Sequence, residues 1–432
     1  MKPPAIREVN RGGGTPKLDV VNGWRGYAIL AVLMVHSFAR PFAPDSLALP
    51  IGHLKISLGA FLNSGWIGVD AFFIASGFVL YLPYANRRRE MRSSTDCLAF
   101  FRRRALRLLP LCFLGSFLPF IMVDFPPISD HRFWIYLVNF PLATFSWIAG
   151  YNVMIGNGAL WSISIEILLS AAFPLIVVAV HRWGALRVCM AIAVFCAVNR
   201  EIALLAHGKN VFWPLVANSS ALQNCLLLTG GDVTWVAFFE FAAGICFAQL
   251  YANPDLRVVN LLRRHALACL AIGLPVVLIF CQLNWHYTTA PNFGTPKRAL
   301  DVLMPFILDG GLCLLFAAVL FGSNRALHWL FANRVIQLIG AMCYSIYIWH
   351  SPLFLKLTLG VDPQPWAHAY AIYLPALVVI LAFSAFSYRF IEFPNRSFAE
   401  LFLLGGRRAS PADAGELPRE RVSTAATKSF SD

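Results

Sequence analysis

Ten stretches of about twenty residues are long and apolar enough to cross a bilayer core as helices: they lie near positions 21–38, 65–84, 108–125, 160–180, 186–206, 232–251, 266–284, 300–321, 335–357 and 368–390. In hydrocarbon every backbone amide must find its partner within the segment, so the pattern predicts a bundle of transmembrane α-helices. Composition agrees. Hydrophobic residues make up 58% of the chain and charged residues 13%, and the mean hydropathy of +0.63 lies outside the range of soluble domains. The sequence therefore predicts an all-α integral membrane protein of about ten helices, with a short tail at 1–19, a membrane domain at 20–396 and a second tail at 397–432.

Lysine and arginine fix an expected orientation, because short cytoplasmic loops collect them. With the N-terminus inside, twenty-seven of the thirty-five basic residues fall on the inner side, leaving Arg40, Lys55, Arg132, Arg200, Lys209, Lys297, Arg298 and Lys356 outside. Both termini are then cytoplasmic, and the expected location is the cytoplasmic (inner) membrane. The net charge of +13 needs no nucleic acid as partner, since basic residues flanking spans meet lipid headgroups. The first seventeen residues lack the apolar region of a signal peptide, so the first span is expected to act as an uncleaved start signal. The segment after Phe398 is too polar to bury a core and reads as a disordered cytoplasmic tail. The connections 126–159 and 207–231, with Trp134, Trp147 and Trp213, are the expected place to meet an external substrate.

The ten cysteines form no C-x-x-C pair and the ten histidines no H-x-x-x-H or mixed cluster, so no metal and no permanently bound cofactor is expected. Polar residues inside the spans carry more information, because ionisable groups in hydrocarbon are costly and mark function. Arg25 and His36 share the first span, eleven residues apart, or about 16 Å along a helix. On the predicted topology His36, Asp70, Glu166 and His350 lie in the outer half, whereas Arg25, Arg104, Arg107 and Arg389 lie at or near inner ends. Neutral imidazole at His36 can take a proton from a hydroxyl near pH 7. Arg104 and Arg107, three apart, share a helical face and favour phosphate binding over mere topological placement.

Several residues keep two readings. Glu166 orients His36, or caps the fourth span beside Ser162 and Ser164. Asp70 binds acceptor hydroxyls, or pairs with a helix end or an arginine. His350 binds acceptor, or packs among Tyr344, Tyr347 and Trp349. Glu240 and Asp309 are mid-span without assigned partners, and Pro110 is expected to end or kink a helix.

Six separated motifs carry a family resemblance: NGWRG leading to His36, GWIGVDAFFIASGF (65–78), RRRALRLLP (102–110), LWSISIE (160–166), YSIYIWHSPL (344–353) and YRFIEFP (388–394). Over roughly 18–396 the chain resembles the acyltransferase-3 family of integral membrane O-acyltransferases. The resemblance implies transfer of an acyl group, acetyl above all, from cytoplasmic acyl-CoA as co-substrate to a hydroxyl of an envelope or exported carbohydrate, lipopolysaccharide among them. It implies the helix carrying Arg25 and His36 as the catalytic and donor-binding element. With the residue readings above, the candidate site is His36, Glu166 and Arg25 as catalytic residues, Arg104, Arg107 and Arg25 as donor-binding residues, and Asp70, Trp161, Ser164 and His350 as acceptor-binding or supporting residues. Some positions depart from the family pattern. Asn22 stands where an acid is frequent, Ile167 where a second acid is usual, and Phe393 where a basic residue is common. No hydrolase-like domain follows the tenth span, so transfer to the acceptor is expected in the membrane domain itself.

Two readings from other classes compete. Ten spans with intramembrane Asp, Glu and His also suit a proton-coupled secondary transporter, whose inverted repeat is not visible in the sequence. A membrane sensor or scaffold would neither bind nor consume acyl-CoA.

Overall fold

A computed structural model describes residues 16–38, 48–51, 54–123, 127–130, 133–134, 157–209, 231–289, 297–357 and 366–402. Residues 1–15 of the expected tail at 1–19 and residues 403–432 of that at 397–432, together with Arg40, Trp147 and Trp213, lie outside the described residues, as do most of both long connections. The first helix, α1 (Pro16–Leu33), widens at its end into a π-helical turn at Met34–Phe38. A small antiparallel hairpin comes next, β1 (Ala48–Ile51) and β2 (Leu54–Ser57), with Ala48 opposite Ser57 and Ile51 opposite Leu54. Strands are not part of the all-α expectation; these are only four residues each, too short to register as an alternating pattern.

The rest is helical. The chain continues through α2 (Leu58–Asn63), α3 (Ile67–Ala85) and α4 (Ser94–Val123), then α5 (Trp161–Trp183), α6 (Ala185–Lys209) and α7 (Gly231–Ala252). After these come α8 (Arg257–Arg264), α9 (Ala266–Thr289), α10 (Lys297–Phe321), α11 (Arg325–Ala332) and α12 (Arg334–Ala341). The last are α13 (Cys343–Leu357), α14 (Trp366–Ser387), a second π-turn at Tyr388–Glu392, and α15 (Phe398–Phe402). α4 runs through both Pro110 and Pro119, so Pro110 does not end its helix; membrane helices tolerate proline because neighbours satisfy the freed backbone.

All ten expected spans coincide with helices. Among the described residues, five helices are long and apolar enough to cross a membrane, or up to seven if two bent pairs each count as one span. The bends are 99° between α7 and α8 and 71° between α12 and α13. α1, α4 and α6 fill the three remaining positions of the pattern but are not counted on that criterion.

The helices are apolar on both sides. On α5, Phe173 and Val177 are fully buried while Leu175 is 75% exposed. On α6, Leu186 is 71% exposed. Water would penalise such an outer surface and lipid would not, so the fold is that of a helical membrane protein. Inside, α3 packs closely on α7, α9 on α10, and α13 on α14. α1 packs against α3, α12 and α13, with Arg25 half-buried among them and His36 exposed at the far end.

Candidate active site

NGWRG is a docking element that aims Arg25. A Cβ at Gly23 would stand 1.8 Å from the Phe331 carbonyl oxygen, so only glycine lets α1 approach α11 this closely. Asn22 Nδ2 donates to the Gln337 carbonyl at 2.8 Å, and Trp24 Nε1 donates to the Ala71 carbonyl at 2.9 Å. Between these anchors the Arg25 guanidinium reaches into a polar cluster, where it interacts electrostatically with Cys343, Glu392 and Glu166. With Asn22 in place of the frequent acid, the sequence leaves Arg25 without an obvious carboxylate. The fold supplies acids from the second π-turn and from α5 instead.

Arg104 and Arg107 complete that cluster. Arg104 forms an ion pair with Glu166 and donates through Nε to Ser170 Oγ at 3.0 Å. Ser76 on α3 also donates to Glu166, at 3.2 and 3.3 Å. Arg107 pairs with Glu392 at 2.9 Å, whose side chain has no exposed surface, while Ser345 Oγ donates to the other Glu392 oxygen at 3.0 Å. The Arg107 guanidinium lies over the Phe393 ring, 5.0 Å from its centre. The residue that departs from the family pattern therefore supports the arginine through its π-face. Three guanidiniums against two carboxylates leave one positive charge in excess when both acids are ionised.

About 16 Å further along α1, His36 sits in the π-turn, a helix distortion often found at functional sites. Its Nδ1 lies 2.9 Å from the Val32 carbonyl. A carbonyl only accepts, so Nδ1 carries the proton and Nε2 the basic lone pair. The ring meets His350 edge-to-face with centroids 4.9 Å apart. His350 is anchored in the same way, through Nδ1 to the Tyr347 carbonyl at 2.7 Å, and its Nε2 is buried without a hydrogen-bond partner. Tyr347 joins α13 to α5: Ser162 Oγ donates to the Tyr347 hydroxyl at 2.6 Å, which donates to the Ala159 carbonyl at 2.9 Å.

Several expected roles meet a different geometry. The tautomer of His36 is set by the carbonyl of its own helix, and the Glu166 carboxylate belongs to the arginine cluster. Glu166 lies one turn inward of Ser162, within reach of the long Arg104 side chain, which is why a topology drawn from span ends assigns them to opposite halves. Ser164 is fully buried and turns back on the Leu160 carbonyl at 3.5 Å. Trp161 is half-buried at the start of α5. Asp70 is buried on α3 and gathers with Glu240 and Asp309, their carboxylate oxygens within 4.8 Å of one another. Arg389 donates to the Pro394 carbonyl at 3.0 Å. One charged site residue that the sequence does not single out is Glu392; its signal is an acid closing the segment YRFIE.

The described residues thus align an arginine–carboxylate cluster and a histidine pair along α1 and α13. No solved structure matches the chain. Among curated proteins, the O-acetyltransferase OatA of Staphylococcus aureus is 22% identical over 409 residues, covering 88% of this chain and 57% of its own length. The peptidoglycan O-acetyltransferase OatA of Listeria monocytogenes is 23% identical over 404 residues, covering 87% of this chain and 55% of its own. The chain thus spans a little over half the length of these relatives. An acyltransferase-domain family model matches residues 18–385, which takes in nearly all of α1, the arginines, Glu166 and the histidine pair but stops short of Glu392, and the chain accordingly belongs to the acyltransferase-3 family.

Proposed function

We propose that the chain is a membrane O-acyltransferase that moves an acetyl group from cytoplasmic acetyl-CoA to a hydroxyl of an envelope carbohydrate, with His36 as general base. The observation that carries this reading is the shared track of α1 and α13, with guanidiniums at one level and two imidazoles about 16 Å away. Arg25, Arg104 and Arg107 would hold the donor phosphates by charge-assisted hydrogen bonds, the two carboxylates keeping them oriented in the donor's absence. The pantetheine arm would run along α1 toward His36. There the acceptor hydroxyl attacks the thioester carbonyl carbon as its proton passes to His36 Nε2. The C–S bond then breaks, and the imidazolium returns the proton to the departing thiolate, releasing free CoA. Peptidoglycan, named for the Listeria relative, is the first acceptor to try.

This reading puts the arginine cluster on the cytoplasmic side, with both termini inside. The short helix α8 supports the orientation: it turns away from α7 by 99° and carries Arg257, Arg263 and Arg264, as a helix lying at an anionic headgroup layer would. Membership of an acyltransferase family leaves proton-coupled transport without support.

The test uses purified full-length protein with acetyl-CoA and peptidoglycan fragments, following free CoA thiol and acetylated glycan by mass spectrometry. His36→Ala is expected to lower turnover about 10²–10⁴-fold, the usual contribution of a general base, with acetyl-CoA affinity within a few-fold of wild type. Transfer at the wild-type rate by His36→Ala would end the proposed mechanism. Reporter fusions after Arg92 and Arg396 should both read cytoplasmic; an external signal after Arg92 would reverse the donor path.

A further inference from the structure

Away from the His36 track, three acids converge from three helices. Asp70 lies in the first turn of α3, Glu240 near the middle of α7 and Asp309 near the middle of α10. They are 7%, 1% and 0% exposed, and one carboxylate oxygen from each lies within 4.8 Å of the others. Three ionised carboxylates at this spacing repel strongly in a low-dielectric interior. A Cβ at Gly77 would stand 2.0 Å from the Phe241 carbonyl oxygen, and one at Gly244 the same distance from that of Ile74, so α3 and α7 are already in backbone contact beside the cluster.

A second observation points to what belongs there. Glu240 Oε2 is buried and accepts no hydrogen bond, although a buried carboxylate oxygen without a donor is expensive. A cation satisfies that lone pair and cancels the repulsion together. The donor set is all oxygen, the choice of hard cations, and oxygens no more than 4.8 Å apart can share one ion with metal–oxygen distances of roughly 2.4 Å, as calcium has. We propose that Asp70, Glu240 and Asp309 bind a hard divalent cation, with calcium as the first probe, that fastens α3, α7 and α10 together inside the bundle. The inference does not depend on the acyl-transfer reading, because none of the three residues takes part in it. Cysteine and histidine spacing, on which the expectation of no metal rests, is blind to a carboxylate site assembled from three distant helices.

The experiment uses the full chain purified in detergent and stripped with a chelator. Metal content after re-equilibration with calcium is measured by mass spectrometry, and thermal unfolding is followed in calcium, magnesium, sodium or chelator at matched ionic strength. Stoichiometric calcium and a calcium-dependent rise in Tm, both lost in Glu240→Gln and Asp309→Asn, are expected. No retained metal and no cation-dependent rise in the wild type would overturn the site and leave the acids to share protons. A response to sodium alone would overturn the divalent assignment, and a calcium response that survives in both variants would place the ion elsewhere. Where a variant fails to fold, the wild-type measurements decide.

Discussion

Two buried clusters of charge lie in the same bundle and solve opposite problems. Around Arg107 and Glu392 the charges are of both signs, and each carboxylate meets a guanidinium and a hydroxyl. Around Glu240 the charges are of one sign, from Asp70 and Asp309. The first cluster can stay ionised in a dry interior because its members neutralise one another; the second needs protons or a cation from outside the chain. The difference teaches that burial alone does not tell a structural charge from a functional one. The sign of the neighbours does.

The largest effect should come from unpairing Glu392. Arg107→Met leaves a carboxylate with no exposed surface facing nothing positive at 2.9 Å, and is expected to cost about 3–5 kcal/mol in unfolding free energy. Adding Glu392→Gln should restore most of it; equal losses in the single and double variants would show that the pairing of signs is not what keeps this cluster ionised. If the double variant folds, it also isolates the donor role, with acyl-CoA affinity falling while pantetheine affinity holds. Smaller is Ser76→Ala, which removes one donor from Glu166 but leaves Arg104 in place, and should cost about 0.5–1.5 kcal/mol by chemical denaturation. The smallest is Glu240→Gln in chelator, which should cost nothing or stabilise the chain, because it removes a like charge instead of a partner. A loss as large as that of Arg107→Met would erase the contrast between the clusters.

Much of the fold is legible in the sequence because hydrophobic length is a local property. The ten apolar stretches fall on helices, one of them on the bent pair α12 and α13, and Arg25 and His36 share the first. The illegible part is long-range. Glu166 and Arg104 are sixty-two residues apart, and a topology drawn from span ends separates them because it ignores the reach of an arginine side chain. Glu392 escapes notice because it closes a π-turn, whose extra residue defeats a reading based on α-helical periodicity. Asp70, Glu240 and Asp309 are each visible as polar residues in apolar runs, but nothing in their spacing says that three helices bring them together. The bend between α12 and α13 is hidden too, since one continuous apolar stretch covers both.

The π-turn at Met34–Phe38 means that this part of the first helix holds one residue more than a regular α-helix would fit. Deleting a single residue within the turn would let the helix close up as ordinary α without breaking its backbone ladder and with the segment beyond it little turned, because the widened turn already absorbs the surplus residue. What it would remove is the wide turn itself, from which His36 meets the Val32 carbonyl and the His350 ring. The placement of the imidazole is thus encoded as a length as much as an identity, and among natural homologues a one-residue gap at this point should coincide with loss of the histidine.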